Sequence, residues 1–394
     1  MSDSHSQTVP VVRKIMAAYC RRTGVTNAAM PTRRYLWTDA FAVCNFLELY
    51  RQTGEQNYLD TALRLVEHVH FALGKYSDTD PRSGWISGLD ENAGCLHPTR
   101  GGLRIGKNLA EREPDEPLNP RMEWDRDGQY FHYLTKWMHA LSQVSGVTGD
   151  ERYHRWALEL AKASHAGFTY TPVSGERKRM YWKMSVDLSR PLVSSMGHHD
   201  PLDALITYTQ LRETGRRDGR SPCDIDLEQE IADCQAMCGG QSWATEDPLG
   251  TGGLLADTFR LAQIMVACNV AGPLNVASLL ADCEAGLHAF LRSSSLEQSA
   301  EHRLAFRELG LAIGLHALMR LQDLIGRNPN RFATVEDLPD LLARLNEFGY
   351  LCDEIEGFWL HAGHQQSQTW CDHHDINAVM LATSLAPDGF LLVR

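Results

Sequence analysis

The chain has no stretch rich in lysine and arginine, and its formal net charge is −12. A surface of that sign repels phosphate backbones and anionic lipid, which argues against nucleic acid or a membrane surface as principal partner. No uninterrupted apolar run reaches the ~18 residues that a membrane-spanning helix needs. Residues 1–10 are polar and lack an apolar segment, so no secretory signal is expected and a cytoplasmic location is. The ten cysteines include no Cys-x-x-Cys pair. Cys234 and Cys238 share one helix face and are expected as buried thiols rather than disulfides. A spaced ligand set such as His-x-x-x-His beside a carboxylate is missing too, so neither a metal nor a cofactor is expected. No run of alternating β-branched residues bounded by turn signals occurs, so no strands are expected.

What fills the chain instead is apolar helix. Hydrophobic residues make up 43% of 394, enough for a large core. The stretch 123–141 shows the pattern best. It opens with Glu123, Trp124, Asp125, Asp127 and Gln129. Tyr130, Leu134, Trp137 and Leu141 then mark one helix face, while Phe131, Met138 and Ala140 fill much of the rest. A helix apolar on most sides is buried on most sides, and carboxylates at its start suit the positive end of its dipole. The stretch 35–50 repeats the pattern, with Thr38 or Asp39 as cap.

Other helices are amphipathic and belong outside. A first helix spans 11–22, followed by a loop at 24–32 that contains Pro31. At 58–73, Leu59, Ala62, Leu63, Val66, Val69 and His70 face one way; 153–168 is similar. Thr53-Gly54-Glu55 with Tyr58, Ala62 and Leu63 recurs as Thr148-Gly149-Asp150 with Tyr153, Ala157 and Leu158. A repeated turn joining an inner to an outer helix implies a repeat architecture. Further inner helices are expected at 197–208, where Asp200 caps and Pro201 takes the first helical position, and at 255–270, 304–321 and 376–385. Their outer partners are 227–238, 274–291, 337–348 and the N-terminal helix.

These pairs predict an all-α fold, an (α/α)6 barrel in which six helical hairpins close a toroid as a single domain over 1–394. The long links 74–121, 169–197 and 239–251 all run from an outer to an inner helix. In such a ring they share one rim with the polar starts of the inner helices, which makes that rim the expected site. The first link carries Trp85, Leu89, Cys95, Leu96, His97 and Ile105, too much apolar surface for disorder, and reads as an ordered flap.

The helix periodicity over nearly the whole length, with the Thr-Gly-acid turn signature, resembles the six-hairpin glycosidase superfamily. That shape includes unsaturated glucuronyl hydrolases, other glycosidases, some polysaccharide lyases and the N-acylglucosamine 2-epimerase group. The resemblance implies a carbohydrate-sized cleft lined by Trp, Asp or Glu, and His. It carries over no catalytic residue by motif.

Candidate residues follow from position. Asp39, Asp125 and Asp127 open neighbouring inner helices, and two carboxylates in different environments can divide acid and base roles, as glycoside hydrolysis requires. Each also suits a plain helix cap. Trp37 and Trp124 precede these carboxylates as sugar-stacking platforms or rim packing; Trp85, Tyr130 and His132 are further contacts or core. His198-His199-Asp200 and His373-His374-Asp375 open two inner helices, and facing His199 and His374 could exchange protons on either side of a carbon, as an epimerase does. Trp370 precedes the second cluster. Arg303 and Arg307 could bind an anionic substrate group or pair with Glu301 or Glu308. The leading expectation is a glycoside hydrolase acting on a small glycoside or oligosaccharide. A sugar epimerase, a lyase or hydratase on a non-sugar substrate, and a non-catalytic helical-ring binding protein are the alternatives.

Overall fold

The computed structural model describes the chain except residues 1, 27–32, 174, 176, 220–224, 294–295 and 334–336, and the side chains of 2–7. Most of the expected loop at 24–32 therefore lies outside the described residues. No helix among the described residues is long and apolar enough to cross a membrane. The chain divides into two compact units: a larger one, Cys20–Gly239 with Arg394, and a smaller one, Met1–Tyr19 with Gly240–Val393. Helix α1 (Ser2–Thr23) begins the chain, and its residues to Tyr19 belong to the smaller unit.

The larger unit is built from hairpins. Helix α2 (Leu36–Thr53) is buried at every position from Leu36 to Leu49, as an inner helix must be, and packs on the amphipathic α3 (Gln56–Leu73). The turn between them is the repeated signature. Gly54 closes α2 in the left-handed region at φ 70°, its N–H bonded to Tyr50 O. Thr53 Oγ1 donates to Leu49 O at 2.7 Å and accepts from Glu55 N at 3.1 Å.

The long link that follows is ordered, as its composition predicts. It holds the short helices α4 (Glu91–Leu96) and α5 (Pro120–Asp125) and strand β1 (Gln129–Tyr130). The second inner helix, α6 (Phe131–Thr148), begins only after that strand. Asp125 and Asp127 are thus upstream of its first turn and do not cap it. The turn into α7 (Glu151–Phe168) repeats the first: Gly149 has φ 71°, and Thr148 Oγ1 donates to Val144 O at 2.8 Å and accepts from Asp150 N at 3.2 Å.

The next link contains strands that local alternation does not announce. These are β2 (Thr169–Tyr170), β3 (Arg179–Met180), β4 (Lys183–Met184) and β5 (Pro191–Val193). They form a β2–β3 ribbon and a β1–β4–β5 sheet. Strands of two or three residues are too short to show a period. The unit ends with the inner helix α8 (Asp200–Arg217) and its partner α9 (Glu228–Cys238).

In the smaller unit, α10 (Pro248–Ala267) packs against α11 (Val276–Ser293) and against the long α12 (Ala305–Arg327). The α10–α12 contact is backbone on backbone: a Cβ on Gly252 would collide with Gly310 O, and one on Gly314 with the backbone of Gly252. The short α13 (Pro329–Phe332) leads to α14 (Leu338–Asn346), and a turn through Phe348 and Gly349 to α15 (Tyr350–Leu360). The sequence places one outer helix at 337–348; the structure has two short ones, and α15 packs on α12 and on the later α17. Then come α16 (Gln368–Asp372), the inner α17 (His374–Leu385) and α18 (Asp388–Leu391). The nine described cysteines are all free thiols, with Cys234 and Cys238 buried.

Candidate active site

Helix α6 is apolar on one face, but a polar stripe runs along another at i, i+3, i+4 and i+7: His132, Thr135, Lys136 and His139. Residues so spaced share a helix side, and this side meets α8. Asp200 and Asp203, in the first turn of α8, answer it. His132 Nδ1 lies 3.6 Å from Asp200 Oδ1. Lys136 Nζ donates to Asp203 Oδ2 at 2.7 Å, and Thr135 Oγ1 donates to the same oxygen. Deeper, His139 Nδ1 is 3.1 Å from Gln210 Oε1.

The two carboxylates of this ladder have opposite environments. Asp203 is buried but held by an ammonium and a hydroxyl. Asp200 is buried, 4% exposed, and its Oδ2 carries no hydrogen bond. Burial first, then the neighbouring Asp203 charge, pushes the Asp200 carboxyl up to about 7, against the pull of Lys136. Burial and the Lys136 charge push His132 down to about 4. The His132 side chain is still 29% exposed, so the ring meets solvent. Asp200 is therefore a carboxyl raised towards neutrality beside an imidazole that burial keeps neutral.

Aromatic rings form a wall around this pair. Tyr35 and Tyr133 share a hydroxyl hydrogen bond at 2.7 Å. Trp37 packs on Tyr133 and His132 with ring centroids 5.3 and 5.8 Å apart. Its Nε1 is buried without a hydrogen bond, the second orphaned polar atom of the wall. Tyr130 touches His132 and Tyr133, and Trp124, 49% exposed, leans on Tyr130 and on Trp182 at 6.2 and 4.8 Å. The exposed Asp125 follows Trp124 directly and contributes to the raised pKa of the Tyr130 hydroxyl, which burial dominates.

Buried polar posts position the wall. Lys183, on β4, donates to Glu123 O, Glu123 Oε1 and Arg126 O at 2.6, 2.9 and 2.9 Å, which anchors the end of α5. Gln129 accepts from Leu103 N and donates to Gly101 O and Val186 O.

Several expected site residues are posts of this kind. Both oxygens of Asp127 are engaged, by Arg104 and by the N–H groups of Gly106 and Lys107, so it staples the flap to the start of β1. Asp39 is 1% exposed, accepts from Tyr35 N and faces Arg34. Neither has an oxygen turned to a ligand, which corrects their assignment to catalysis. Trp85 is also corrected: it is 4% exposed, sits against Gly94 and donates to Glu91, inside the flap's own core. His199 is half-buried next to the exposed His198, rings 4.8 Å apart, immediately before Asp200.

The smaller unit's candidates separate in the same way. Arg303 is not available to an anionic ligand: it is buried, ion-paired to Glu308, bonded to Leu296 O and stacked on Phe358 at 3.7 Å. Arg307 pairs with Asp247, the N-cap of α10, at 2.7 Å. Trp370 is 2% exposed and stacks on Trp359, whose Nε1 donates to Glu308, so it is core rather than platform. His373 and His374 are exposed; His373 packs on Phe306, and His374 lies 4.0 Å from Asp375.

Sequence reasoning missed Tyr35, Tyr133, Lys136, Trp182 and Asp203. Lys136 was the readable signal. A lysine in the middle of a buried helix requires a carboxylate, and Asp203 is the acid that follows Asp200 on the next inner helix.

No family model matches the chain, and no curated protein does. Solved structures do. An inactive aspartate variant of a family GH76 α-1,6-mannanase from Salegentibacter sp., in complex with α-1,6-mannotetrose, matches at TM-score 0.54 and 13% identity, over 98% of this chain and 99% of that one. A GH76 α-mannanase of Bacteroides thetaiotaomicron matches at TM-score 0.51 and 10% identity, over 95% and 96%. At such identities the likeness concerns the fold. The chain shares the (α/α)6 fold of these structures, as its helix periodicity predicts.

Proposed function

We propose that the protein is a carbohydrate-active enzyme of glycoside hydrolase type, acting on a small glycoside or oligosaccharide, with Asp200 as the proton donor. One observation carries this reading. A buried carboxyl raised to about 7, with an unbonded oxygen, sits on a wall of tyrosine and tryptophan. A group protonated near neutrality can give its proton to the glycosidic oxygen as the bond breaks. The second carboxylate is Asp125, exposed next to Trp124 in the chain, and it supplies the base or nucleophile. His132, neutral at pH 7, orients Asp200. Trp124 takes the apolar face of a sugar ring, and the buried Trp37 backs the wall by packing on His132 and Tyr133.

The bound mannotetrose of the Salegentibacter structure supports a sugar as the ligand of this fold. The whole of 1–394 is taken to act as one domain, with 74–121 as its flap. A cytoplasmic location agrees with the free thiols.

The test is a panel of glycosides and oligosaccharides read by mass change. A hydrolysed member is expected, and both Asp200→Asn and Asp125→Asn should lower its turnover by about 10²–10⁴-fold while folding normally. Full activity in both variants rejects the assignment. Solvent deuterium appearing in an uncleaved sugar would move the reaction to epimerisation.

A further inference from the structure

A second cluster of reactive side chains lies in the smaller unit and takes no part in the site above. His316, halfway along α12, faces Cys352 and Glu356, which are one turn apart on α15. His316 Nε2 is 2.9 Å from Glu356 Oε1 and 3.1 Å from Cys352 Sγ, and Cys352 Sγ is 3.8 Å from the same Glu356 oxygen. These donor atoms, one nitrogen, one sulfur and one oxygen, all lie within 4.8 Å of one another.

We propose that His316, Cys352 and Glu356 are the protein ligands of a divalent transition-metal site suited to Zn²⁺. Bond lengths of about 2.3 Å to sulfur and about 2.0–2.1 Å to nitrogen and oxygen place tetrahedral ligand pairs roughly 3.3–3.6 Å apart. The three observed separations straddle that range, each within half an ångström or so of it. Rotamer adjustment of a few tenths of an ångström admits the ion. The donor set itself selects a borderline metal: thiolate and imidazole disfavour Mg²⁺ and Ca²⁺, which demand oxygen.

Two further features belong to a built site. Ser384 Oγ, from α17, donates to the same Glu356 oxygen and helps fix the carboxylate. The cluster is also reachable. Cys352 is buried, but the side chains of His316 and Glu356 are 20% and 15% exposed, so solvent reaches the cluster. On binding, the thiol proton leaves to solvent and the sulfur coordinates as thiolate. The metal would pin α15 to α12, and Ser384 would tie α17 into the same cluster.

The experiment is a titration of the full chain, stripped with chelator, with Co²⁺ as spectroscopic probe and Zn²⁺ as competitor. The expected result is one Co²⁺ per chain, with a thiolate-to-cobalt charge-transfer band and the visible bands of tetrahedral cobalt, both bleached by one equivalent of Zn²⁺. The bands should vanish in Cys352→Ala and His316→Ala and persist in the double variant Cys95→Ser, Cys371→Ser, which removes the two exposed thiols among the described residues. Ser384→Ala should weaken binding by about 10–100-fold. Absence of the charge-transfer band in the unaltered protein overturns the site whether or not any variant folds. A band that survives Cys352→Ala does so too, since it would belong to another thiol.

Discussion

The openings of the two units handle buried charge in opposite ways. In the smaller unit, Arg303, Glu308 and Trp359 satisfy one another, and Arg307 meets Asp247. In the larger unit, Lys136 and Asp203 are matched, but one rung higher Asp200 keeps an unbonded oxygen and Trp37 an unbonded N–H. Folding alone favours closed pairs, because an unpartnered buried polar atom costs about 1–3 kcal/mol. A closed pair is scaffold. An open one is left to meet a ligand or an ordered water. The difference turns a long roster of aspartates, histidines and arginines into a short one.

The largest stability effects should come from opening the closed pairs. Lys136→Met strands Asp203 and Arg303→Met strands Glu308, and each should lower unfolding free energy by about 3–5 kcal/mol in urea titration. The comparison predicts a split in function. Among molecules that remain folded, Lys136→Met alters the pH profile of turnover through its loss of charge next to Asp200, and Arg303→Met does not. An equal change in both profiles would erase the distinction.

The open rung should show itself through linkage. Asp200, raised from 3.8 to about 7, contributes stability that is full below pH 3.8 and is lost as pH rises towards 7. His132, lowered from 6.5 to about 4, contributes stability that is full above pH 6.5 and is lost as pH falls towards 4. Between those limits the two slopes oppose and largely cancel. Asp200→Asn should leave a melting temperature that rises with pH across this window, and His132→Gln one that falls. Parallel slopes in the two variants would show that the pair does not titrate as described.

Smaller effects probe the rims. Trp124→Ala removes a half-exposed platform, so KM should rise by about tenfold, equivalent to ~1.4 kcal/mol, with stability changed by less than about 0.5 kcal/mol. The smallest belongs to His374→Ala. That ring is exposed, and turnover should stay within about twofold of the unaltered protein, since surface changes are mostly neutral. A large loss there would restore the histidine-based epimerase reading.

The chain itself announced most inner helices, because burial on most sides forces apolar residues on most sides. It also announced both turns that end in Gly54 and Gly149, since only a left-handed glycine closes them without strain. The flap was legible from its apolar content. The five short strands were not, because two or three residues show no period. Asp127 illustrates the limit at the site. Its place among Trp124, Asp125 and Tyr130 suggested catalysis, yet its oxygens are taken by Arg104 and the backbone of Gly106 and Lys107, partners some twenty residues upstream that no local pattern could pair with it.

Periodicity and turn chemistry are properties of neighbours along the chain, so sequence alone determined most of the long helices and the (α/α)6 fold. Which carboxylate stays open is a property of neighbours in space. Asp39, Asp127, Asp200 and Asp203 are the same side chain near the starts of similar helices. Only the packing of α6 on α8, with Lys136 reaching Asp203 and stopping short of Asp200, left one of them with an unbonded oxygen.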